Sequence, residues 1–208
     1  MGQVLYTIGH STRSLSTFLD LLIAHGVSAI CDVRSQPYSH RNPQFNRESL
    51  KDDLARLNIA YVFLGEELGA RSSDPTCYED GKVQYARLAT TDTFVRGIER
   101  LTKGIRHYQV ALLCAEKDPL FCHRAILVCR NLRAHDLSIL HILDKEQVET
   151  REASEIRLMK LLGMYHDDLF QQSNELLEKA YDLQGQRIAY STSPEQPRPE
   201  FAGKEEIM

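Results

Sequence analysis

Apolar residues form two kinds of pattern along the first 145 residues, short continuous runs and helical spacing. Short continuous apolar runs bounded by polar or glycine-containing segments predict buried strands, at 4–8, 27–33, 59–64, 110–114 and 139–143. Between the runs, apolar residues spaced three and four apart predict helices, at 15–25, 47–58, 91–103 and 119–134, and Asn46 is expected to cap the second of them. Strands that alternate with helices form mostly parallel sheets. The expected fold is therefore α/β, with a single mostly parallel sheet of about five strands flanked by helices.

Residues with special backbone preferences mark the ends of the predicted helices. Ser14 can accept a hydrogen bond at the start of the first helix, and Gly26 suits the left-handed position that ends it. Gly104 is expected to stop the third helix. Pro119 suits the first turn of the fourth helix, because its missing N–H would have no partner there. The polar segment 35–46 is longer than most connections and is a candidate functional loop.

The chain after Asp144 has a different character, because no further strand is predicted there. Helical spacing recurs over 152–162 and 173–183, and the segment from Ser191 is rich in Pro, Glu and Lys, which predicts disorder. Residues 65–84 are expected to form a loop. The predicted parts are an α/β domain, a helical extension and a disordered tail, at 1–145, 146–190 and 191–208.

Composition narrows the class of protein. The formal net charge of −4 gives no general attraction to DNA or acidic membranes, although the stretch 34–47 contains three arginines and a histidine without a carboxylate. The start of the chain lacks the pattern of a signal peptide, and no run of about 18 apolar residues occurs, so we expect a cytoplasmic protein that does not enter membranes. Five irregularly spaced cysteines favour free thiols in a reducing compartment.

Polar residues follow the predicted strands at the points where the strands end. Ligands of parallel sheets bind outside the carboxyl ends of the strands, so these side chains are expected to line a crevice. The polar residues at the strand ends are His10 and Ser11, Asp32 and Arg34, Glu66 and Glu67, and Glu116. Arg34, Arg41 and Arg124 suit bidentate recognition of phosphate or carboxylate, and Glu116 and Asp32 suit acid–base chemistry.

The segment from Cys114 to Arg124 is the densest of these groups. A helix start attracts anions, and His123 and Arg124 would add hydrogen-bond donors beside it. The same surroundings would lower the pKa of the Cys122 thiol if that thiol faces solvent. Cys114 and Cys122 also suit ordinary core packing, and the carboxylates and arginines also suit a solvated surface.

Several stronger signatures are absent from the sequence. There is no phosphate-binding G-x-x-x-x-G-K-[ST] loop, G-x-G-x-x-G fingerprint, C-x-x-C pair or H-E-x-x-H motif. Seven residues separate Cys114 from Cys122, which is weak as a zinc pattern. No metal is assigned on this basis, and no cofactor is identified.

The order of the motifs resembles a known family, the domain of unknown function 488 family, over about residues 4–142. The motifs are Tyr6-Thr-Ile-Gly-His-Ser11, Asp32-Val-Arg34 with Pro37, Arg41-Asn-Pro-Gln-Phe-Asn46, and Cys114-Ala-Glu116 with Pro119 and Cys122-His-Arg124. The resemblance implies a compact α/β domain, and it identifies no substrate. The motif positions that it implies are His10, Ser11, Asp32, Arg34, Arg41, Asn42, Glu116, Cys122, His123 and Arg124.

Three hypotheses of function follow. The first is an enzyme for a phosphate-bearing substrate, such as a nucleotide or nucleic-acid component, with His10, Ser11, Asn42 and the three arginines as binding residues and Glu116, Asp32, Cys122 and His123 as catalytic ones. The second is thiol or metal chemistry, with Cys122 as nucleophile or as a ligand beside Cys114 and His123. The third is a non-catalytic module that binds a nucleotide or nucleic acid through the 34–47 loop. The oligomeric state is left open.

Overall fold

Six strands form one sheet in the computed structural model, which describes residues 3–165 and 174–192. The strands of this sheet are β1 (Gln3–Gly9), β2 (Ala29–Asp32), β3 (Ala60–Phe63), β6 (Val110–Cys114), β7 (Leu137–Ile142) and β8 (Val148–Thr150). Their order is β3-β2-β6-β1-β7-β8. The first five are parallel, as predicted, and β8 is antiparallel to β7. A separate hairpin is formed by β4 (Tyr78–Glu79) and β5 (Lys82–Val83).

Helices cover both faces of the sheet. The α-helices are α1 (Leu15–Ala24), α2 (Arg47–Arg56), α3 (Gly65–Leu68), α4 (Tyr85–Ala89), α5 (Asp92–Ile105), α6 (Arg151–Leu161) and α7 (Asn174–Ile188). Three 3₁₀ turns span Pro43–Phe45, Pro75–Cys77 and Pro119–Phe121, and a π-helix spans Arg124–Cys129.

Side-chain alternation along the strands divides the core into two layers. In β6, Ala111 and Leu113 pack with α1 and α2, whereas Leu112 and Cys114 pack with α5, α6 and the π-helix. Successive residues of a strand point to opposite faces. In β2 the same alternation places Asp32 on the α1/α2 face, opposite to the face of Cys114. The side chains of Asp32 and Cys114 therefore point into different core layers, although their strands are neighbours in the sheet.

Both predicted ends of the first helix are confirmed. Ser14 Oγ accepts a hydrogen bond from Thr17 N at 3.1 Å, and Gly26 is left-handed with φ of 63°. Helix α5 begins after Thr91, whose side chain accepts from Phe94 N at 3.2 Å. The predicted stop at Gly104 is wrong, because this glycine keeps helical geometry and α5 continues to Ile105.

Other differences lie in short elements. The expectation of no strand after Asp144 is wrong, because Val148–Thr150 pairs with β7. The predicted 65–84 loop contains α3 and the β4–β5 hairpin, and α7 continues to Ile188. Asn46 precedes α2, but its side-chain oxygen accepts from Ser39 N at 2.7 Å rather than from the helix. The predicted disordered tail lies outside the described residues, apart from its first two positions.

Two further findings concern the class of protein. In the described ranges, no helix combines the length and the apolar character that crossing a bilayer requires. All five cysteines are free and buried. Cys31 and Cys114 lie in strands, and Cys129 is the last residue of the π-helix. Cys77 ends one 3₁₀ turn, and Cys122 directly follows another.

Candidate functional site

The chain leaves β6 by crossing closely over the end of β1. The backbone ladder continues past both strands, with His10 N donating to Cys114 O at 3.0 Å and Ser11 N donating to Ala115 O at 2.8 Å. A Cβ on Gly9 would lie 1.8 Å from the carbonyl oxygen of Glu116. Only glycine therefore allows this crossing, and the crossing fixes the position of the Glu116 backbone.

The predicted helix starting at Pro119 is wrong, because the helical backbone is interrupted at Cys122. Asp118 accepts from Leu120 N at 2.9 Å and caps a 3₁₀ turn. Cys122 is then extended, with φ of −136° and ψ of 136°, and a π-helix begins at Arg124. Proline with an aspartate cap suits a 3₁₀ start as well as an α-helical one, so the sequence did not distinguish them. The interruption leaves Cys122 Sγ 3.4 Å from Arg124 N, from which it accepts a hydrogen bond.

Four side chains meet beside this interruption. Cys114, Glu116, Cys122 and His123 each offer one ligand atom, and these atoms lie within 4.8 Å of one another. Cys114 Sγ is 3.0 Å from Glu116 Oε2 and 3.6 Å from His123 Nδ1. Cys114, Cys122 and His123 are buried, whereas Glu116 is exposed. We call these four residues the Cys–His–Glu cluster.

The tautomer of His123 follows from its other ring nitrogen. Nε2 lies 2.9 Å from the carbonyl oxygen of Val33, which can only accept. Nε2 therefore carries the hydrogen, and the Nδ1 side faces the thiols. Histidines that bind metals are commonly held in this way by a backbone carbonyl.

A buried arginine supplies positive charge to the cluster. Arg124 is 0% exposed, and its guanidinium donates to the carbonyls of Glu116 at 2.7 Å and Lys117 at 3.0 Å and to Thr7 Oγ1 at 3.3 Å. These described acceptors are all neutral. A buried charge is costly unless an opposite charge lies nearby, so Arg124 favours an anionic thiolate in the cluster.

The thiols respond unequally to these surroundings. Burial opposes ionisation of Cys122, but the hydrogen bond from Cys114 and the positive charge of Arg124 hold the Cys122 pKa well below its usual range. Burial and the neighbouring Cys122 raise the pKa of Cys114. Burial also works against the charged form of His123, but Cys122 raises the His123 pKa overall. Of the two thiols, Cys122 therefore ionises first, and Cys114 keeps its proton.

Glu116 is also perturbed, although it is exposed as a residue. Its carboxylate oxygen lies against Cys114 Sγ, and partial loss of water there, followed by repulsion from Cys122, raises the pKa of Glu116. A carboxylate with a raised pKa beside buried ligands is suited to accept and return protons.

A second polar group, on the α1/α2 face, contains Asp32, Arg34 and His10. Asp32 is fully buried and accepts from Arg34 Nε at 2.9 Å, Arg34 Nη2 at 2.6 Å and Tyr61 Oη at 2.6 Å. Arg34 also donates to the carbonyl of Phe45 at 2.9 Å and lies 3.2 Å from His10 Nε2. All of these hydrogen-bonding atoms have protein partners, so this group holds the 35–46 loop in place.

The remaining predicted site residues are more scattered. Ser11 is partly buried and has a left-handed φ of 50°, which is unusual for a non-glycine residue. Arg41 is exposed, and the backbone N–H groups of Arg41 and Asn42 each donate to Ser39 Oγ at 3.2 Å. Arg34 and Arg124 direct their guanidinium hydrogens to protein acceptors, so Arg41 is the exposed one of the three arginines expected to bind an anion. A shared anion site remains a prediction.

Tyr85 is a site residue that the sequence analysis missed. It is buried at the start of α4, and its pKa is raised by burial and then by Cys122 and Cys114, so its hydroxyl lies near the cluster. Helix α4 has five residues and was not predicted, so no sequence signal indicated this tyrosine.

Comparisons with known proteins agree with the arrangement of motifs. The model of the family described as "Domain of unknown function DUF488" matches residues 14–130, which include the whole Cys–His–Glu cluster. No curated protein and no solved structure matched the chain. The match begins after His10 and Ser11 and ends before β7, so β7, β8, α6 and α7 lie outside it. Since the match spans more than half of the 208 residues, the chain belongs to the DUF488 family.

Proposed function

We propose that the protein is a metal-dependent hydrolytic enzyme in which Cys114, Cys122 and His123 bind a zinc-type divalent ion and Glu116 acts as the general base. The observation that carries this proposal is the convergence of four ligand atoms within 4.8 Å, three of them buried and one at an exposed edge. Thiolate and imidazole ligands favour zinc and related ions.

The ligand geometry is compatible with tetrahedral coordination. Typical zinc–sulfur and zinc–nitrogen bond lengths in a tetrahedral site give a sulfur–nitrogen separation of about 3.6 Å. The distance from Cys114 Sγ to His123 Nδ1 is 3.6 Å. The Val33 carbonyl holds His123 with Nδ1 toward the thiols, and Arg124 balances part of the thiolate charge. These contacts support a site prepared for a cation.

The exposure of Glu116 beside three buried ligands supports a catalytic rather than a purely structural metal. Catalytic zinc sites use three protein ligands and keep a fourth position for water, whereas structural sites are closed by four. Glu116 is the exposed member of the cluster. A divalent ion held by Cys114, Cys122 and His123 would supply an activated water, and Glu116, at the exposed edge of the cluster, would take a proton from that water and return it to the leaving group of the substrate. Zinc deaminases divide the roles of two cysteines, a histidine and a glutamate in the same way.

Burial of Cys122 favours this proposal over a nucleophilic cysteine. Cys122 is 1% exposed and Cys114 is 3% exposed, so a substrate carbon would have little access to either sulfur. A metal ion needs only the space between the ligands. A role of Cys122 as nucleophile is therefore less well supported than its role as a metal ligand.

A phosphate-bearing substrate remains part of the proposal, without an assigned anion site. Lys117 follows Glu116 directly and is exposed, and Arg41 is exposed in the 35–46 loop. Either cation can meet an anionic group of the substrate. Binding of a nucleotide or nucleic acid by the 34–47 loop likewise stays a prediction.

Metal analysis tests the proposal first. We expect the purified protein, loaded with Zn²⁺ or Co²⁺ and dialysed, to retain one ion per chain, and the Co²⁺ form to show thiolate-to-cobalt charge transfer in its absorption spectrum. Cys122→Ser and His123→Gln remove a ligand, so both should lose the ion. Cys129→Ser is the matched control, because Cys129 is equally buried but lies outside the cluster. A wild-type protein that retains no ion would overturn the proposal.

The role of Glu116 is tested separately. Glu116→Gln keeps the size of the side chain but cannot accept a proton, so we expect it to retain Co²⁺ and to lower turnover about 10²- to 10⁴-fold in a screen of hydrolysable substrates. Glu66→Gln is a suitable control, because Glu66 is an exposed acidic residue that follows β3. Equal turnover by wild type and Glu116→Gln would remove Glu116 from the mechanism.

A further inference from the structure

A buried chain of hydrogen bonds connects Arg124 to helix α6. Arg124 Nε lies 3.3 Å from Thr7 Oγ1, and Thr7 Oγ1 lies 2.8 Å from His141 Nδ1. His141 Nε2 lies 3.3 Å from Ser154 Oγ, which donates to the carbonyl of Arg151 at 2.7 Å. Thr7, His141 and Ser154 are all buried. We call this chain the Arg124 relay.

Each hydrogen bond in the relay has only one possible donor and one possible acceptor. Ser154 uses its hydroxyl hydrogen on a carbonyl, so it accepts from His141 Nε2. His141 Nδ1 then lacks a hydrogen and accepts from the Thr7 hydroxyl, and the Thr7 oxygen accepts from Arg124 Nε. A fully directed chain between buried groups holds its members firmly, because losing one member leaves its buried neighbours without partners.

A second connection runs from α6 to the turn that precedes Cys122. Arg157 donates to both carboxylate oxygens of Asp118, at 2.8 and 2.9 Å, and also binds Glu149 of β8. Asp118 in turn caps the 3₁₀ turn that ends at Cys122. Helix α6 is therefore connected to the segment 116–124 in two ways. The Arg157–Asp118 ion pair is a direct contact, and Ser154 reaches Arg124 indirectly through His141 and Thr7.

We propose that helix α6 is a positioning element of the metal centre, acting on the Glu116–Cys122 segment through Ser154 of the Arg124 relay and through the Arg157–Asp118 ion pair. The helix lies outside residues 14–130, so the family-matched segment contains the cluster but not this supporting element. The proposal rests on the proposed function in one respect, since its readout is a bound metal ion. Thr7, His141, Ser154 and Arg157 are positioning residues, because none of them belongs to the ligand cluster.

Arg157→Met tests the ion-pair connection. Arg157 and Asp118 are each 39% exposed, and surface ion pairs contribute little to stability, so the variant is expected to fold. Loss of supporting contacts around metal ligands typically weakens metal affinity roughly 10- to 100-fold. We expect Arg157→Met to raise the Co²⁺ dissociation constant at least roughly tenfold and to shift the cobalt absorption bands.

Arg133→Met is the matched control for this experiment. Arg133 binds the α6 carboxylate of Glu155 at 3.0 Å and also pairs with Glu178 of α7, but it does not contact the 116–124 segment in its described ion pairs. The control should retain the wild-type cobalt spectrum and affinity. If Arg157→Met and Arg133→Met bind Co²⁺ equally well, the positioning role of α6 is disproved.

Thr7→Val and Thr7→Ser test the relay. Valine has nearly the shape of threonine but leaves Arg124 Nε and His141 Nδ1 without partners, whereas serine keeps the hydroxyl. We expect weaker Co²⁺ binding in Thr7→Val and wild-type binding in Thr7→Ser. Equal Co²⁺ affinity in the two variants would contradict the relay, and if Thr7→Val does not fold, the two arginine variants decide the proposal. A wild-type protein without metal would instead overturn the proposed function itself.

Discussion

At the scale of single residues, the absence of a side chain at position 9 determines the position of the cluster. The carbonyl of Glu116 occupies the space where a Cβ of residue 9 would lie. A neighbouring backbone atom cannot rotate away as a flexible side chain can. The loop that carries Glu116 therefore has to move if any other residue replaces Gly9.

Gly9→Ala is expected to destabilise the protein by about 1–3 kcal/mol and to weaken metal binding, because the added methyl group displaces the Glu116 backbone. Urea unfolding and Co²⁺ titration measure the two effects. Gly104→Ala is the control, since nothing lies within 4 Å of its Cβ position and it is helical, so it should stabilise by about 0.5–1 kcal/mol. Equal unfolding midpoints for the two variants would contradict the close contact.

Residue types in the cluster were predictable, but their contacts were not. The sequence placed Glu116, Cys122 and His123 near one strand end, and its motif order indicated the family. The zinc pattern was weak because seven residues separate Cys114 from Cys122. The extended backbone of Cys122 brings the two thiols together, and no property of the printed residues distinguishes that interruption from a continuous helix.

At the scale of elements, the two faces of the sheet give the side chains of Asp32 and Cys31 different surroundings. Asp32 follows Cys31 in β2, and the alternation of side chains points the two residues to opposite faces. The Asp32–Arg34 pair instead holds the 35–46 loop through the carbonyl of Phe45. The end of β2 thus holds a loop on one side of the sheet, whereas the end of the neighbouring strand β6 carries the cluster on the other.

Asp32→Asn should release this loop, because it leaves the Arg34 charge buried without its anion. Breaking a buried pair in this way costs about 3–5 kcal/mol. We expect faster cleavage by trypsin after Arg41 in the native protein and a lower urea midpoint. Asp53→Asn, which breaks the partly exposed pair with Arg56, should leave both measurements near the wild-type values. Unchanged cleavage after Arg41 in Asp32→Asn would disprove the role of the pair.

Long, strongly patterned elements were predictable from the sequence, and short ones were not. The five parallel strands are confirmed because their apolar runs are buried by helices. Strand β8 has only the residues Val-Glu-Thr, none of them buried, and β4 and β5 have two residues each. Such strands depend on pairing with a neighbour and carry no periodic signal of their own.

At the scale of the whole molecule, two buried histidines couple stability to pH. Burial and then the neighbouring Arg34 lower the pKa of His10 to about 4, and burial and then Arg124 lower the pKa of His141 to about 3. Both rings are neutral in the folded protein near pH 6, where the unfolded chain already gains protons. Their contribution is therefore complete above the unfolded value of about 6.5 and is lost as pH falls toward the folded values.

The free energy of unfolding should consequently fall between pH 6.5 and pH 4, by roughly 3 kcal/mol from His10 alone. Urea unfolding at a series of pH values measures this slope. His10→Gln keeps an acceptor for Arg34 but cannot titrate, so it should reduce the slope. His107→Gln, at an exposed position, serves as the control. An unaltered slope in His10→Gln would show that His10 does not contribute.

The burial of all five cysteines makes the native protein slow to react with thiol reagents. A thiol that reacts must first be uncovered, so each labelling rate reports the opening of its own part of the fold. Cys31 reports on the sheet and Cys129 on the π-helix, whereas Cys114 and Cys122 report on the cluster. An ion held by the sulfurs of Cys114 and Cys122 would block their labelling, so the labelling rates of these two cysteines report whether the metal is bound. The rates of Cys31 and Cys129 measure unfolding in the same sample and serve as the reference.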